Sequence, residues 1–443
     1  MTGVFVYILG IELSFNTTKL LTLYFAEHTF EMFYYIEYNG IIREGMRMEQ
    51  IKLTNKQARH FILLKQGLMG NYKFIGEQGV CDYIKQAGCI QFDPIDVCGK
   101  NPELVLQSRV EGFSKDMLYK LLYTDRKLVD YFDKNMSIFS IEDWKYFSRQ
   151  RAAYGRNVRS KDQIDAVIDE IKAIIKEKGF VSSKDVNFNK QVDWYWSPTT
   201  LSRAVLEALY FQGELIIHHK KGTIKHYFLA NEHIPEEILN THDPNITQEE
   251  YFQWGILRRI GAMGMLWNKP SDAWLGISGL KSANRNIAFE KLHKEGKISK
   301  ILIDDISDEF YCLSEDKPLI EAVLNDGEFI GRTEFIAPLD NMLWDRKLIR
   351  KIFDFEYKWE IYTPVIQRKY GYYVLPVLSR DSFIGRIEVV NDRKSKQLIV
   401  KNLWFENTAD SYNCLYEDIE DCIERFASLN NCKNIVLECK IER

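Results

Sequence analysis

No C-x-x-C pair occurs among the eight cysteines (Cys81, Cys89, Cys98, Cys312, Cys414, Cys422, Cys432, Cys439), and the eight histidines show no metal-ligand spacing. Scattered thiols in a chain of 443 residues exclude a zinc framework or a disulfide scaffold and read as reduced, cytosolic cysteines. His218 and His219 alternate across an extended segment, so they are expected to face opposite ways and to share no metal. The chain has no Walker loop, no G-x-G-x-x-G after a strand and no G-x-S-x-G elbow, and no cofactor is expected. It also lacks a run of about 18 apolar residues that could span a bilayer. Glu12, Lys19, Glu27 and Glu31 interrupt the aromatic-rich first 47 residues, which also lack the basic start and cleavage site of a signal peptide. Excess positive charge is missing too. With a formal net charge of −4 and a pI near 6.1, any nucleic-acid contact must come from a local basic face.

What is present is a 46% hydrophobic chain, enough for several ordinary cores. Residues 1–47 form an extension that ends in Arg43-Glu44-Gly45, whose codons can spell a purine-rich ribosome-binding site. Translation is therefore expected to start at Met46 or Met48. Thr54 and Gln57 form a capping box for a helix that should end at Gly70. A second helix follows over 77–86, Pro102 opens another, and Ser114 caps a fourth. Residues 130–137 read as a polar loop with aromatic anchors. Residues 161–229 read as helix, a short helix begun by Ser182, a third helix opened by Ser197-Pro198-Thr199, and a hairpin. That is the winged-helix order, and it returns over 247–313 behind a second capping box at Thr247 and Glu250.

From Glu334 the texture turns to aromatic and β-branched runs with turns at residues 379–382 and 391–394, the pattern of a small antiparallel barrel. The expected class is α+β, with tandem winged helices at 48–155, 156–235 and 236–330. A β-barrel at 331–406 and a terminal helix and strand at 407–443 complete it.

The chemistry is concentrated in Gly88-Cys89-Ile90-Gln91-Phe92-Asp93-Pro94. In an extended chain Gln91 and Asp93 share one face while Ile90 and Phe92 take the other. A proline after Asp93 favours the same extended geometry. An amide and a carboxylate side by side can hold one water, the carboxylate accepting its proton. The barrel region is locally basic, with Arg346, Arg368 and Lys369 interleaved with Tyr370 and Tyr372, a combination suited to phosphates and bases. Arg109, just after the Gln91–Asp93 stretch, is a further candidate contact.

Three segments carry a resemblance: residues 88–97, residues 106–144 and, above all, residues 335–389. The last holds Pro338-Leu339-Asp340-Asn341-Met342-Leu343-Trp344-Asp345-Arg346, Trp359-Glu360-Ile361-Tyr362-Thr363-Pro364 and Arg368-Lys369-Tyr370-Gly371-Tyr372-Tyr373. Over 48–406 the sequence resembles the winged-helix DNA glycosylases of the AlkZ/YcaQ type. The resemblance implies a C-shaped DNA repair enzyme that grips duplex DNA and uses Gln91 and Asp93 as its catalytic pair. An Asp at the second position points to the YcaQ-like branch, which is similar in accepting N7-alkylated guanine and its interstrand crosslinks. Phe132-Asp133-Lys134 stands where many relatives carry Trp-Ala-His. The expected partner is double-stranded DNA met by a monomer without a membrane, in a bacterial-type, nucleoid-associated cytoplasmic setting. No amine nucleophile is evident, so simple base excision without strand cleavage is expected. The alternative is a non-enzymatic winged-helix regulator, indifferent to Asp93.

Overall fold

The structure is a computed structural model that describes residues 7–8, 11–12, 50–325, 327–406 and 415–439. The chain divides into two units, Met1–Glu49 and Gln50–Arg443. In the first, Tyr7–Ile8 pairs antiparallel with Ile11–Glu12. The start-site expectation at Met46 or Met48 lies outside the described residues. No helix among the described residues is long and apolar enough to cross a membrane.

In the second unit the capping signals act where expected. The Thr54 hydroxyl accepts from the Gln57 N–H (3.2 Å) and Gln57 Oε1 from the Thr54 N–H (2.9 Å), opening the helix Asn55–Gln66. That helix stops at Gly67, in the left-handed region, three residues before the expected Gly70. Helices Gly76–Ala87 and Lys115–Tyr123 follow, then the hairpin Leu128–Phe132 and Met136–Ser140. Helices Lys161–Asp165, Ile168–Lys178 and Leu201–Gln212 precede the hairpin Leu215–Lys221 and Ile224–Leu229. Helices Gln248–Met263 and Ser282–Lys294 precede Ile298–Ile303 and Ile306–Leu313. Both runs place helices ahead of a hairpin in a mixed α+β order.

Three local expectations are corrected. Residues 130–137 are mostly strand, because Asp130 is neutralised by Lys220 and Tyr131 is fully buried; only residues 133–135 remain as the turn. At Ser182 no helix starts, since its N–H and hydroxyl both donate to Asp185 Oδ2 (2.7 and 2.6 Å) and close a turn instead. His218 and His219 do not face apart. A bulge between Ile217 and His219 breaks the alternation and brings their Nδ1 atoms to 2.6 Å.

The expected barrel is an open, curled sheet in the order Thr333–Phe335, Val374–Ser379, Ser382–Asp392, Gln397–Phe405, Asn434–Leu437. Its last strand pairs in parallel, and the helix Leu415–Leu429 caps the first, Arg425 Nη2 donating to the Thr333 carbonyl (2.6 Å) and Phe426 meeting Phe335. A strand at the start of the unit, Ile51–Leu53, joins Ile298–Ile303 in parallel, so the first expected domain completes the sheet of the third.

Two apolar cores lie on either side of the chain at residues 89–92. Cys89 packs into one, with Phe61, Phe139 and Ile260. Ile90 and Phe92 enter the other, with Tyr83, Leu104, Leu121, Ile138 and the sheet residues Phe335, Leu375 and Ile387. The curled sheet thus supports one face of the strand that carries Gln91 and Asp93.

Candidate active site

The helix Gly76–Ala87 delivers the chain to this strand through Gly88, whose φ of 72° suits glycine. A Cβ there would meet the Arg258 side chain at 2.7 Å, and Arg258 Nη2 instead donates to the Gly88 carbonyl (2.6 Å). Ile90 and Gln91 pair antiparallel with Ile138 and Ser137, and the Phe92 N–H reaches the Met136 carbonyl (2.8 Å). Two side-chain amides then fix the strand, one from ten residues on and one from far along the chain. Asn341 Nδ2 donates to the Cys89 carbonyl (2.8 Å) and Asn101 Nδ2 to the Gln91 carbonyl (2.8 Å). Asn101 Oδ1 accepts the Leu339 N–H (3.1 Å), which ties the helix Asn101–Gln107 to the segment at 338–346.

On this fixed backbone each of the two candidate side chains keeps an oxygen with no hydrogen-bond partner among the described residues. Gln91 is 9% exposed, and its Oε1 is buried with no hydrogen-bond partner. An unmatched buried acceptor costs about 1–3 kcal/mol, so it marks a position that a donor from outside the chain would satisfy. Asp93 is half-buried. Its Oδ1 accepts the Ile95 N–H (2.9 Å) across Pro94, and its other oxygen accepts no hydrogen bond from the described residues. Burial raises its carboxyl above the usual value, opposed only by that backbone hydrogen bond. A carboxylate that is desolvated and unpaired is a competent proton acceptor.

The same chemistry is used differently at a second carboxylate. Asp133, in the turn one strand away, is held below the usual carboxylate range: burial alone would raise it, but Arg259 and Arg258 outweigh that. Arg258 also holds Asp143 (2.6 Å). Lys134 lies over the Trp344 ring at 5.1 Å and is pulled down to about 8 by burial. Phe132-Asp133-Lys134 thus forms a buried brace. Lys220 from the second hairpin, also lowered to about 8 by burial, sits 3.3 Å from the Phe92 ring centroid and pairs with Asp130.

The candidate nucleic-acid contacts separate. Arg109 is withdrawn from them, because it is fully buried and bidentate to Asp340 (2.8 and 2.7 Å), with Tyr83 beneath its guanidinium. A phosphate could reach it only by breaking a buried ion pair, a loss of about 3–5 kcal/mol. Arg346 is exposed at the start of the helix Arg346–Phe353. Arg368, Lys369, Tyr370 and Tyr372 come together in one loop. Arg368 lies 5.1 Å over Tyr372, which is 41% exposed, while Lys369 lies 4.9 Å over Tyr370.

The residue that organises them, Glu360, had no role assigned from sequence. It accepts the backbone N–H groups of Lys369, Tyr370 and Gly371 (3.0, 2.9 and 3.4 Å). Burial pushes its carboxyl up, but those three donors hold it below the usual range. Asn101, Asn341 and Asp340 were likewise not foreseen as supports, since Leu339, Cys89 and Arg109, to which they respectively bind, lie more than two hundred residues away.

Residues 84–429 match the family model described as DNA glycosylase AlkZ-like. Among solved structures the fold is similar to the Streptomyces sahachiroi DNA glycosylase AlkZ, at a TM-score of 0.58 and 12% identity, covering 87% of this chain and 99% of that one.

Proposed function

Because the chain belongs to the AlkZ-like DNA glycosylase family, a family of DNA repair enzymes acting on N-glycosyl bonds, we propose that its substrate is N7-alkylated guanine in duplex DNA, including interstrand crosslinks, and that Gln91 and Asp93 are its catalytic pair. Alkylation at N7 places a positive charge on the base, which then leaves as a neutral molecule with the electrons of the glycosidic bond. Little general-acid help is required. The remaining work is to stabilise an oxocarbenium-like sugar and to deliver a water to C1′, as carboxylates do in sugar hydrolysis.

Asp93 suits both tasks. Its charge faces the developing cation and its free oxygen takes the water's proton as the new C–O bond forms. The unmatched Gln91 Oε1 accepts the water's second O–H and fixes its orientation. That orphaned acceptor beside an unpaired carboxylate is the observation that carries the reading. The helix–helix–hairpin repeats act as winged helices on the duplex, with Arg346 and the Arg368–Tyr372 loop at the backbone. In this reading base excision proceeds without strand cleavage, so borohydride should trap no protein–DNA adduct.

The test is base release from duplex DNA carrying N7-methylguanine and from an N7–N7 crosslink, comparing wild type with Asp93→Asn. Release by wild type and its loss in a variant that still binds DNA is the expected result. No release from either substrate, with DNA binding intact, would move the chain to the regulator reading.

A further inference from the structure

Between Trp359 and Tyr373 the chain exposes side chains that a folded protein ordinarily hides. Ile366 is 93% exposed, Tyr362 81% and Val365 73%. Such a cluster on a floppy loop would mean little, but this loop is built. The Glu360 carboxylate pins its far end through three N–H groups, and the Glu360 carbonyl accepts the Thr363 N–H (2.8 Å). A short 3-10 turn, Val365–Gln367, forms its tip behind Pro364, and Arg368 Nε closes back on the Thr363 carbonyl (2.9 Å). Val365 and Ile366 are thus held out on a rigid tip and cannot fold back onto the protein.

Three further observations indicate what covers them. Ile361, at the base of the loop, is buried in the core that also holds Phe92, and Tyr373, at its other end, feels the charge of Asp93. Both ends of the loop are therefore anchored on the side of the core that carries Phe92 and Asp93. The charged side chains along residues 358–372 that reach solvent are Lys358 and Lys369, exposed, and Arg368, half-buried, all cationic, while the one acid in that stretch, Glu360, is buried and satisfied. An apolar point flanked by cations complements a polyanion with a stacked apolar interior, which is the make-up of duplex DNA.

We propose that Val365 and Ile366 form a wedge that enters the base stack beside the damaged nucleotide, separating it from its neighbour while Lys358, Arg368 and Lys369 hold the adjoining phosphates. This deepens the reading of the same site and rests on duplex DNA being its substrate. Aliphatic side chains inserted between base steps unstack them at a cost offset by the contacts they gain. Stiffness of the tip matters here, because a wedge that must first be ordered would lose part of that gain.

The experiment uses the full chain with Asp93→Asn, so that chemistry does not intervene, and a duplex with 2-aminopurine next to N7-methylguanine. Binding should raise 2-aminopurine fluorescence, and adding V365S/I366S should abolish the rise while anisotropy shows affinity within about fivefold. In the otherwise wild-type enzyme the same double substitution should slow base release from duplex roughly 10- to 100-fold, yet alter release from single-stranded DNA by no more than about twofold. An unchanged Tm confirms that the exposed pair was not holding the fold.

Fluorescence that rises equally with and without the pair would overturn the wedge, as would an equal loss of release on single strands and duplex. Selective capture of the wild type by phosphatidylserine vesicles, with unchanged behaviour on DNA, would also overturn it and assign the tip to a membrane surface. The fluorescence arm needs binding only. A wild type that unstacks the duplex but releases no base would keep the wedge and reject the proposed reaction.

Discussion

Asp93, just past one strand of a three-stranded sheet, and Asp133, in the turn between its other two, have opposite environments. Asp133 is buried between Arg258 and Arg259, and its carboxylate is strongly favoured as the anion. Asp93 is half-buried with one backbone N–H and no cation, so its carboxylate is less comfortable than in water. Arg258 and Arg259 both serve the structural acid. What the pair teaches is that a carboxylate becomes chemically available when the fold withholds its partners, and becomes structural when the fold supplies them.

The sharpest way to break this comparison is Asp93→Asn. Base release from N7-methylguanine duplex should fall roughly 1,000-fold, while the Tm stays level or rises. The sign follows from linkage. A carboxyl raised in the folded state contributes stability only at acid pH, below its unfolded value of about 4, and costs stability once ionised, so a neutral amide removes a cost.

Asp133→Ala should do the reverse. It leaves the buried Arg259 without its ion pair and Arg258 with Asp143 alone, and lowers unfolding free energy by about 3–5 kcal/mol in urea titrations, with a much smaller effect on turnover per folded molecule. Equal losses of Tm in the two variants would contradict the division. Asn101→Ala tests the support between them: freeing the Gln91 carbonyl should cost about 1–2 kcal/mol of stability and about tenfold in kcat.

The smallest effect is a displacement of the pH profile. Base release should decline as pH falls through the Asp93 pKa, with a midpoint above the ordinary value of about 4. Asp133, depressed in the folded state, keeps its stabilising effect throughout that window and loses it only at more acid pH. A rate profile with its midpoint below about 4 would remove Asp93 as the base.

Much of the fold could be read from local chemistry. Thr54 with Gln57 and Thr247 with Glu250 announce their helices because a cap is made by residues three apart. Hairpins announce themselves through β-branched runs and turns. Gln91 and Asp93 were legible as a motif, and the strand does send Ile90 and Phe92 into one core. The failures were non-local. Arg109 looks like a surface base in sequence because Asp340, which neutralises it, lies 231 residues on. Residues 130–137 read as a loop because Lys220 and the two arginines that make their acids buriable are on other elements. His218 and His219 were misplaced by a bulge, which shifts register without leaving a strong sequence mark.

The clamp of Asn341 on the Cys89 carbonyl spans 252 residues of chain. At ribosomal speeds of about 5–20 residues per second, the strand bearing Gln91 and Asp93 waits roughly 12 to 50 s after its own synthesis before that clamp exists. During translation the early helices and hairpins can form, but the active site of the nascent chain stays unfinished until the segment at 338–346 has emerged. A fragment ending before Pro338 would carry both candidate catalytic residues and lack the amide that fixes the Cys89 carbonyl.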